Sequence, residues 1–186
     1  MQYSMFRNLD YLKNGSEIQR KSFQLLKDHA IFERLIEYNP ILIGTIPIDL
    51  ATQQSDLDIA CEVYDLLEFR RRCENSFGNF KEYAFKIKTV HKKEVGIATF
   101  KIAEIWVEVY AEGIAVIEQY GYKHMMKEFQ ILTHFGNEFK NEILRLKLSG
   151  FKTESAFAKL LRLDGDSYES LLTYNIDIDG DKNSRN

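Results

Sequence analysis

The sequence predicts an α+β protein, in which a mixed β-sheet is flanked by helices and followed by a C-terminal helical region. Up to residue 112, helical segments and short strand-like apolar runs follow one another without regular alternation, whereas residues 113–174 show helical periodicity. Hydrophobic residues make up 45% of the chain and charged residues 28%, which is typical of globular proteins. The 13 Phe and 10 Tyr provide bulky side chains for a core.

The first part of the chain contains the clearest start and stop signals. Ser16 followed by Gln19 resembles a capping box and predicts a helix over residues 16–29. A second helical stretch, residues 31–38, ends at Asn39-Pro40 because a residue before proline disfavours the helical conformation. The apolar residues 41–43 then predict a buried strand that ends in a tight turn at Gly44-Thr45.

The remaining elements follow in order. Residues 56–63 predict a second strand, and residues 65–77 predict a helix that ends at Gly78. Three further strands are expected at residues 82–90, 95–102 and 104–110, with a polar hairpin loop between the first two. The helical region has breaks near Gly136, Gly150 and Gly165. We therefore expect a core at residues 1–112, a helical region at 113–174 packed on it and a flexible tail at 175–186.

Charge and cysteine content narrow the classes of function. The 25 Lys and Arg against 28 Asp and Glu give a formal charge of −3, which argues against a protein that coats nucleic acid, although a local basic patch remains compatible. The N-terminal residues do not resemble a signal peptide, and no apolar run approaches the roughly 18 residues of a membrane span. Cys61 and Cys73 fit neither a disulfide framework nor a zinc site. These features indicate a cytoplasmic protein.

The most informative residues are two aspartates on the second predicted strand. Asp56 and Asp58 are two residues apart and therefore project to the same face. At ~5 Å and an effective dielectric near 20, two carboxylates repel by about 3 kcal/mol. A Mg²⁺ ion relieves this repulsion and prefers carboxylates together with substrate phosphates. Gly44 allows close approach of a phosphate to the backbone, and the Thr45 hydroxyl can donate to it.

A third carboxylate is expected from a neighbouring strand, because two ions about 3.5–4 Å apart share a ligand in two-metal sites. Glu108 lies deep in the last predicted strand, between Val107 and Val109, and is the preferred candidate. Glu104 and Glu112 lie at the ends of that strand and are weaker candidates. The alternative is a solvent-facing strand on which Ser55 merely caps a turn.

These residues resemble the signature of the DNA polymerase beta-like nucleotidyltransferase superfamily. Within it, the chain is similar to an uncharacterised bacterial family, domain of unknown function 4269. The resemblance covers about residues 41–172. It rests on Gly44-Thr45-Ile46-Pro47-Ile48, Ser55-Asp56-Leu57-Asp58, Glu108, Gln119-x-x-Tyr122-Lys123-His124-Met125-x-x-Glu128, Lys152-Thr153-Glu154-x-x-Phe157-Ala158 and Leu163-x-Gly165-Asp166-x-Tyr168.

The resemblance implies a nucleotidyltransferase-like sheet and transfer of a nucleoside monophosphate from a nucleoside triphosphate to an unidentified acceptor, with two Mg²⁺ ions. Asp56, Asp58 and Glu108 would then be the catalytic and metal-binding residues. The nucleotide-binding residues would be Gly44, Thr45, Ser55, Tyr122, Lys123 and His124. The superfamily usually has Gly-Ser where this chain has Gly44-Thr45, a change that keeps the hydroxyl.

Alternatives remain for the later motif and for the function. Lys123 and Tyr122 could offer a charge and a stacking surface to a nucleotide, or they could belong to a helix with a Gln119–Lys123 pair and a buried Tyr122. The chain could also be a catalytically silent protein that binds a nucleotide or a partner, including the toxin–antitoxin type.

Overall fold

The computed structural model describes residues 2–176. The α-helices are α1 (Glu17–Asp28), α2 (Ile31–Arg34), α3 (Leu66–Phe77), α4 (Tyr120–Leu148), α5 (Thr153–Leu161) and α6 (Ser167–Thr173). The strands are β1 (Ile41–Ile43), β2 (Leu57–Glu62), β3 (Lys81–Val90), β4 (Lys93–Ile102) and β5 (Ile105–Glu112). Short 3₁₀ helices occupy Gln2–Arg7, Asp10–Asn14, Ile36–Tyr38 and Val116–Glu118.

The five strands form one mixed sheet in the order β1-β2-β5-β4-β3. β2 and β5 are parallel, whereas the β1–β2, β3–β4 and β4–β5 pairs are antiparallel. α3 and the β3–β4 hairpin intervene between β2 and β5, and this long connection allows the two strands to run parallel. The predicted α+β fold with a mixed sheet flanked by helices is confirmed.

One face of the sheet forms the main hydrophobic core. The alternating residues Leu57 and Ile59 of β2, and Val107 and Val109 of β5, are fully buried on this face. Side chains from α1 and α3 belong to the same cluster, among them Leu26, Phe69 and Phe77. Since side chains alternate along a strand, Asp58 and Glu108 lie on the opposite face.

The helix-start prediction at Ser16 is confirmed in detail. The Ser16 hydroxyl accepts from the Gln19 backbone N–H, and the Gln19 side chain accepts from the Ser16 backbone N–H, which is the reciprocal pattern of a capping box. Asp65 caps α3 by accepting from the N–H groups of Leu67 and Glu68. α3 ends before Gly78, as predicted.

Several strand ends differ from the prediction, and three of the strand starts change the assignment of loop residues. β2 begins at Leu57, so Asp56 precedes the strand instead of belonging to it. β5 begins at Ile105, because Ala103 and Glu104 form a tight turn with φ values of 48° and 66°. β4 begins at Lys93, which leaves His91 and Lys92, also with positive φ, as the turn residues of the first hairpin.

The described residues divide into two compact units, the first ending at Met125 and the second beginning at Met126. The first unit therefore includes the start of α4. Within the second unit, Phe135 stacks on Phe139 at 4.9 Å between ring centroids, and Phe139 contacts Phe157 of α5. The predicted helix break at Gly136 is confirmed by its φ of 76° and ψ of −164°.

Two predictions concern the C-terminal tail and the presence of membrane-spanning helices. The predicted tail at residues 175–186 lies almost wholly outside the described residues, which end at 176. None of the helices in residues 2–176 has both the length and the apolar character needed to cross a bilayer.

Candidate active site

Asp58 and Glu108 lie directly opposite each other on neighbouring strands. In the parallel β2–β5 pair, Asp58 has Glu108 as its register partner. The same row continues to Ile43 of β1 and to Thr99 of β4. Directly paired residues project to the same face, and adjacent strands lie about 4.8 Å apart. The two carboxylates are therefore close neighbours on the face opposite the main core.

Gly44 follows β1 and leaves room for the Asp58 side chain. Its φ is +77°, a conformation that residues with a Cβ rarely adopt. A Cβ at this position would lie 2.6 Å from the Asp58 Oδ2 atom. The glycine turn is thus in direct contact with the carboxylate, and both the backbone conformation and the available space require glycine.

The protonation of Asp58 responds to this crowding. Burial raises the pKa of the Asp58 carboxyl to about 7, with further contributions from the charges of Glu108 and Asp56. Two further acidic groups, Glu108 and Asp56, thus act on the half-buried Asp58 carboxylate. A divalent cation would favour the ionised form of Asp58 and would reduce the repulsion between the acidic groups.

Asp56 lies immediately before β2 and is exposed. Partial burial raises the pKa of the Asp56 carboxyl above its usual value. Although Asp56 is outside the strand, its charge contributes to the raised pKa of Asp58. Asp56 therefore lies outside the strand on which it was predicted, and the roles of Asp56 and Asp58 as metal ligands remain predictions.

Thr45 and Ser55 bring the two ends of the connecting loop together. The Thr45 hydroxyl lies 3.5 Å from the Ser55 hydroxyl, at the outer limit of a hydrogen bond. The Ser55 oxygen also accepts from the Thr52 backbone N–H at 2.9 Å. Ser55 therefore caps a turn, as the alternative interpretation expected, and this contact orients the residue that precedes Asp56.

Gln19 contacts the same loop, although the sequence indicated only its capping role. Its amide nitrogen donates to the carbonyl oxygens of Ile46 at 2.8 Å and Pro47 at 3.2 Å. No short-range motif could reveal these contacts, because they join residues 27 and 28 positions apart.

The residues Tyr122, Lys123 and His124 do not form one cluster. Tyr122 and His124 are buried, whereas Lys123 is exposed and pairs with Glu118 at 2.9 Å. Consecutive helical residues point about 100° apart, so three in a row cannot share a surface. Burial lowers the pKa of His124 to about 4, so its imidazole is neutral at pH 7.

Gln119 differs from both interpretations of the later motif. It lies before α4 in an extended conformation, and its buried side chain donates to the carbonyl oxygens of Cys61 at 2.9 Å and Ile114 at 3.2 Å. The helical pair between Gln119 and Lys123, which one of the two alternatives contained, is therefore wrong, whereas the burial of Tyr122 in the same alternative is confirmed. Gln119 ties the segment before α4 to the end of β2.

The two weaker acidic candidates are engaged elsewhere. Glu104 lies in the β4–β5 turn and pairs with Lys81 at 2.7 Å. Glu112 ends β5, is buried and pairs with Lys93 at 3.1 Å. Of the three glutamates considered, only Glu108 has Asp58 as its register partner.

Comparison with known proteins identifies a family over most of the chain. The family model described as "Domain of unknown function (DUF4269)" matches residues 24–174. No curated protein matches the sequence.

Solved structures resemble the fold at low sequence identity. A structure of a GLD-2/RNP-8 complex is 12% identical with a TM-score of 0.53, over 82% of this chain and 60% of that one. A crystal structure of the Cid1 poly(U) polymerase is 14% identical with a TM-score of 0.51, over 87% of this chain and 54% of that one. A Cid1 mutant bound to MgATP is 12% identical with a TM-score of 0.50, and the match covers 92% of this chain and 55% of that one. The chain thus spans between half and two thirds of these proteins, and the fold is nucleotidyltransferase-like.

Proposed function

The chain belongs to the DUF4269 family, and from this premise we propose that it is a Mg²⁺-dependent nucleotidyltransferase. It would transfer a nucleoside monophosphate from a nucleoside triphosphate to an acceptor hydroxyl. The observation that carries the proposal is the direct pairing of Asp58 with Glu108, with the Asp58 carboxylate against the Gly44 turn. The nucleotidyltransferase-like fold supports it, since the similar structures include a Cid1 poly(U) polymerase and a Cid1 mutant bound to MgATP.

The residues present fit a hard divalent cation. Asp56, Asp58 and Glu108 offer only carboxylate oxygens, which Mg²⁺ prefers over nitrogen or sulfur ligands. Burial and mutual repulsion raise the pKa of Asp58 to about 7, so the free site is strained in its ionised form. These three residues would bind one or two Mg²⁺ ions. When bound, Mg²⁺ would neutralise charge on the triphosphate and the leaving pyrophosphate.

Residues of the chain would bind the triphosphate and accept the proton of the acceptor hydroxyl. The Gly44 turn would admit the triphosphate close to the backbone, and the Thr45 hydroxyl would donate to a phosphate oxygen. The acceptor oxygen would form a bond to the α-phosphorus while the bond to the pyrophosphate oxygen breaks. The proton of the acceptor hydroxyl would pass to Glu108. Ser55 and the exposed Lys123 are also proposed to contact the nucleotide. Tyr122 and His124 are buried, so they lack the exposed surface that the nucleotide contacts predicted for them require.

Transfer of label tests this proposal. The full chain is incubated with Mg²⁺ and each of the four nucleoside triphosphates labelled at the α-phosphate, with single-stranded RNA bearing a free 3′-hydroxyl and a mixture of small polyols as acceptors. We expect covalent transfer by the wild type, and loss of about two to three orders of magnitude in Asp58→Asn and Glu108→Gln. The control is Glu104→Gln, because Glu104 lies on the same β4–β5 hairpin as Glu108 but pairs with Lys81. This variant should retain activity.

Two outcomes would contradict the proposal. Transfer by Asp58→Asn at the wild-type rate would remove the carboxylate from the chemistry. Metal-dependent nucleotide binding without transfer to either kind of acceptor would favour the second candidate, a silent nucleotide-binding protein.

A further inference from the structure

Gln19 is a buried polar residue, and both the oxygen and the nitrogen of its side-chain amide form hydrogen bonds. Its amide oxygen accepts from the Ser16 backbone N–H at 3.1 Å, and its amide nitrogen donates to the Ile46 and Pro47 carbonyl oxygens. Only 6% of the residue is exposed. It lies before residue 24, where the family match begins, so the family match does not cover it.

The loop that Gln19 contacts is the continuation of the glycine turn. Leu50 donates its backbone N–H to the Thr45 carbonyl oxygen at 2.9 Å, which closes residues 45–50 into a compact turn. Ile46, Ile48 and Leu50 of this turn are buried in the protein. The Pro47 carbonyl is held by Gln19, and a buried carbonyl without a donor costs free energy. Gln19 therefore fixes the turn from the side of α1.

Gly15 provides room for this arrangement. A Cβ at Gly15 would lie 2.0 Å from the Gln19 Oε1 atom, although the φ of Gly15, −82°, suits any residue. The glycine is therefore required by the Gln19 side chain and not by the backbone. Replacing Gly15 with alanine displaces Gln19 without changing its chemistry.

We propose that Gln19 is a positioning residue for nucleotide binding. By holding residues 45–50, it would keep the Gly44-Thr45 backbone in the conformation that receives the triphosphate beside Asp58. This inference rests on the proposed function. It assigns to Gln19 no contact with the nucleotide and no part in holding the metal, because its two donors are used by Ile46 and Pro47.

The test compares three variants of the full chain. Gln19→Met keeps the length but removes the amide, Gly15→Ala displaces it, and Ser16→Ala removes a capping oxygen while leaving the Gln19 contacts to the loop. We expect Gln19→Met and Gly15→Ala to bind MgATP about tenfold more weakly than the wild type, because the turn is no longer preorganised. Ser16→Ala should bind MgATP within about twofold of the wild type.

A second readout separates positioning from general damage. Mn²⁺ binding without nucleotide, followed by electron paramagnetic resonance, should stay within about twofold in Gln19→Met and Gly15→Ala, since their carboxylates are unchanged. Wild-type MgATP affinity in both variants, or an equal loss in Ser16→Ala, would overturn the proposal. So would a parallel loss of Mn²⁺ binding.

The effect of Gln19 on the conformation of residues 45–50 can be tested even if the wild type binds no nucleotide. In that case the proposed function fails, and hydrogen exchange of the backbone amides in residues 45–50 decides about Gln19. Exchange at least about tenfold faster in Gln19→Met and Gly15→Ala than in Ser16→Ala supports this effect of Gln19. Equal exchange in all three variants contradicts it.

Discussion

Gly44 and Asp58 depend on each other because one provides the space that the other fills. The positive φ of Gly44 is unfavourable for alanine, and an added Cβ would meet the Asp58 carboxylate. The sequence indicated the importance of both residues, since Gly44 follows an apolar strand and Asp58 is separated from a second aspartate, Asp56, by one apolar residue. It could not show their contact, which depends on the antiparallel pairing of β1 with β2.

Gly44→Ala should therefore destabilise the protein by about 1–2 kcal/mol and abolish nucleotide transfer. Urea unfolding measures the first effect. Gly113→Ala is a matched control, because its φ is not positive and an added Cβ would have its nearest neighbour at 3.5 Å. Equal stability of the two variants would show that Gly44 is not constrained as described.

The pKa of Asp58 predicts how stability depends on pH without metal. The carboxyl has a pKa of about 7 in the folded protein and an ordinary value of 3.8. Between these values the unfolded chain has lost the proton and the folded protein has kept it, so this group lowers stability as the pH rises. Asp58→Asn removes the effect.

In the presence of a chelator, Asp58→Asn should be more stable than the wild type by about 2 kcal/mol at pH 8. The difference should fall to within about 0.5 kcal/mol at pH 4, where the carboxyl is protonated in the folded protein. Urea unfolding at the two pH values measures it. A wild type more stable than Asp58→Asn at pH 8 would contradict the assigned direction of the pKa shift.

At the scale of elements, sequence patterns predicted most helices and strands but not all of their ends. The capping box at Ser16, the stop at Gly78 and the break at Gly136 follow from local chemistry and are confirmed. The start of β2 after Asp56 depends on pairing with β1 and β5, which single-strand patterns do not contain. The 3₁₀ helices before α1 lack the periodicity that reveals α-helices.

Gln119 connects the segment before α4 to the sheet. Its buried amide donates to the Cys61 and Ile114 carbonyl oxygens, so Gln119→Ala should leave these acceptors without that donor. We expect a loss of about 2 kcal/mol in the free energy of unfolding. Gln24→Ala, which removes an exposed hydrogen bond to Asp28 within α1, should cost less than about 0.5 kcal/mol. Equal losses in the two variants would contradict a structural role for Gln119.

At the scale of the whole molecule, the sequence predicted the α+β class and the superfamily resemblance. Composition alone predicts only a globular protein. The pattern of Gly44 followed by Asp56 and Asp58 is what led to the prediction of metal-dependent nucleotidyl transfer. The acceptor could not be predicted. The chain spans 54–60% of the length of the similar structures described above, and sequence identities of 12–14% establish the fold alone.

Asp56, Asp58 and Glu108 are proposed to bind a divalent cation together. Titration of the full chain with Mn²⁺, followed by electron paramagnetic resonance, tests this claim without knowledge of the acceptor. The wild type should bind Mn²⁺, Asp58→Asn and Glu108→Gln should weaken binding by at least about tenfold, and Glu104→Gln should not. Binding by Asp58→Asn as tight as that of the wild type, or no binding by the wild type, would contradict the proposed metal site.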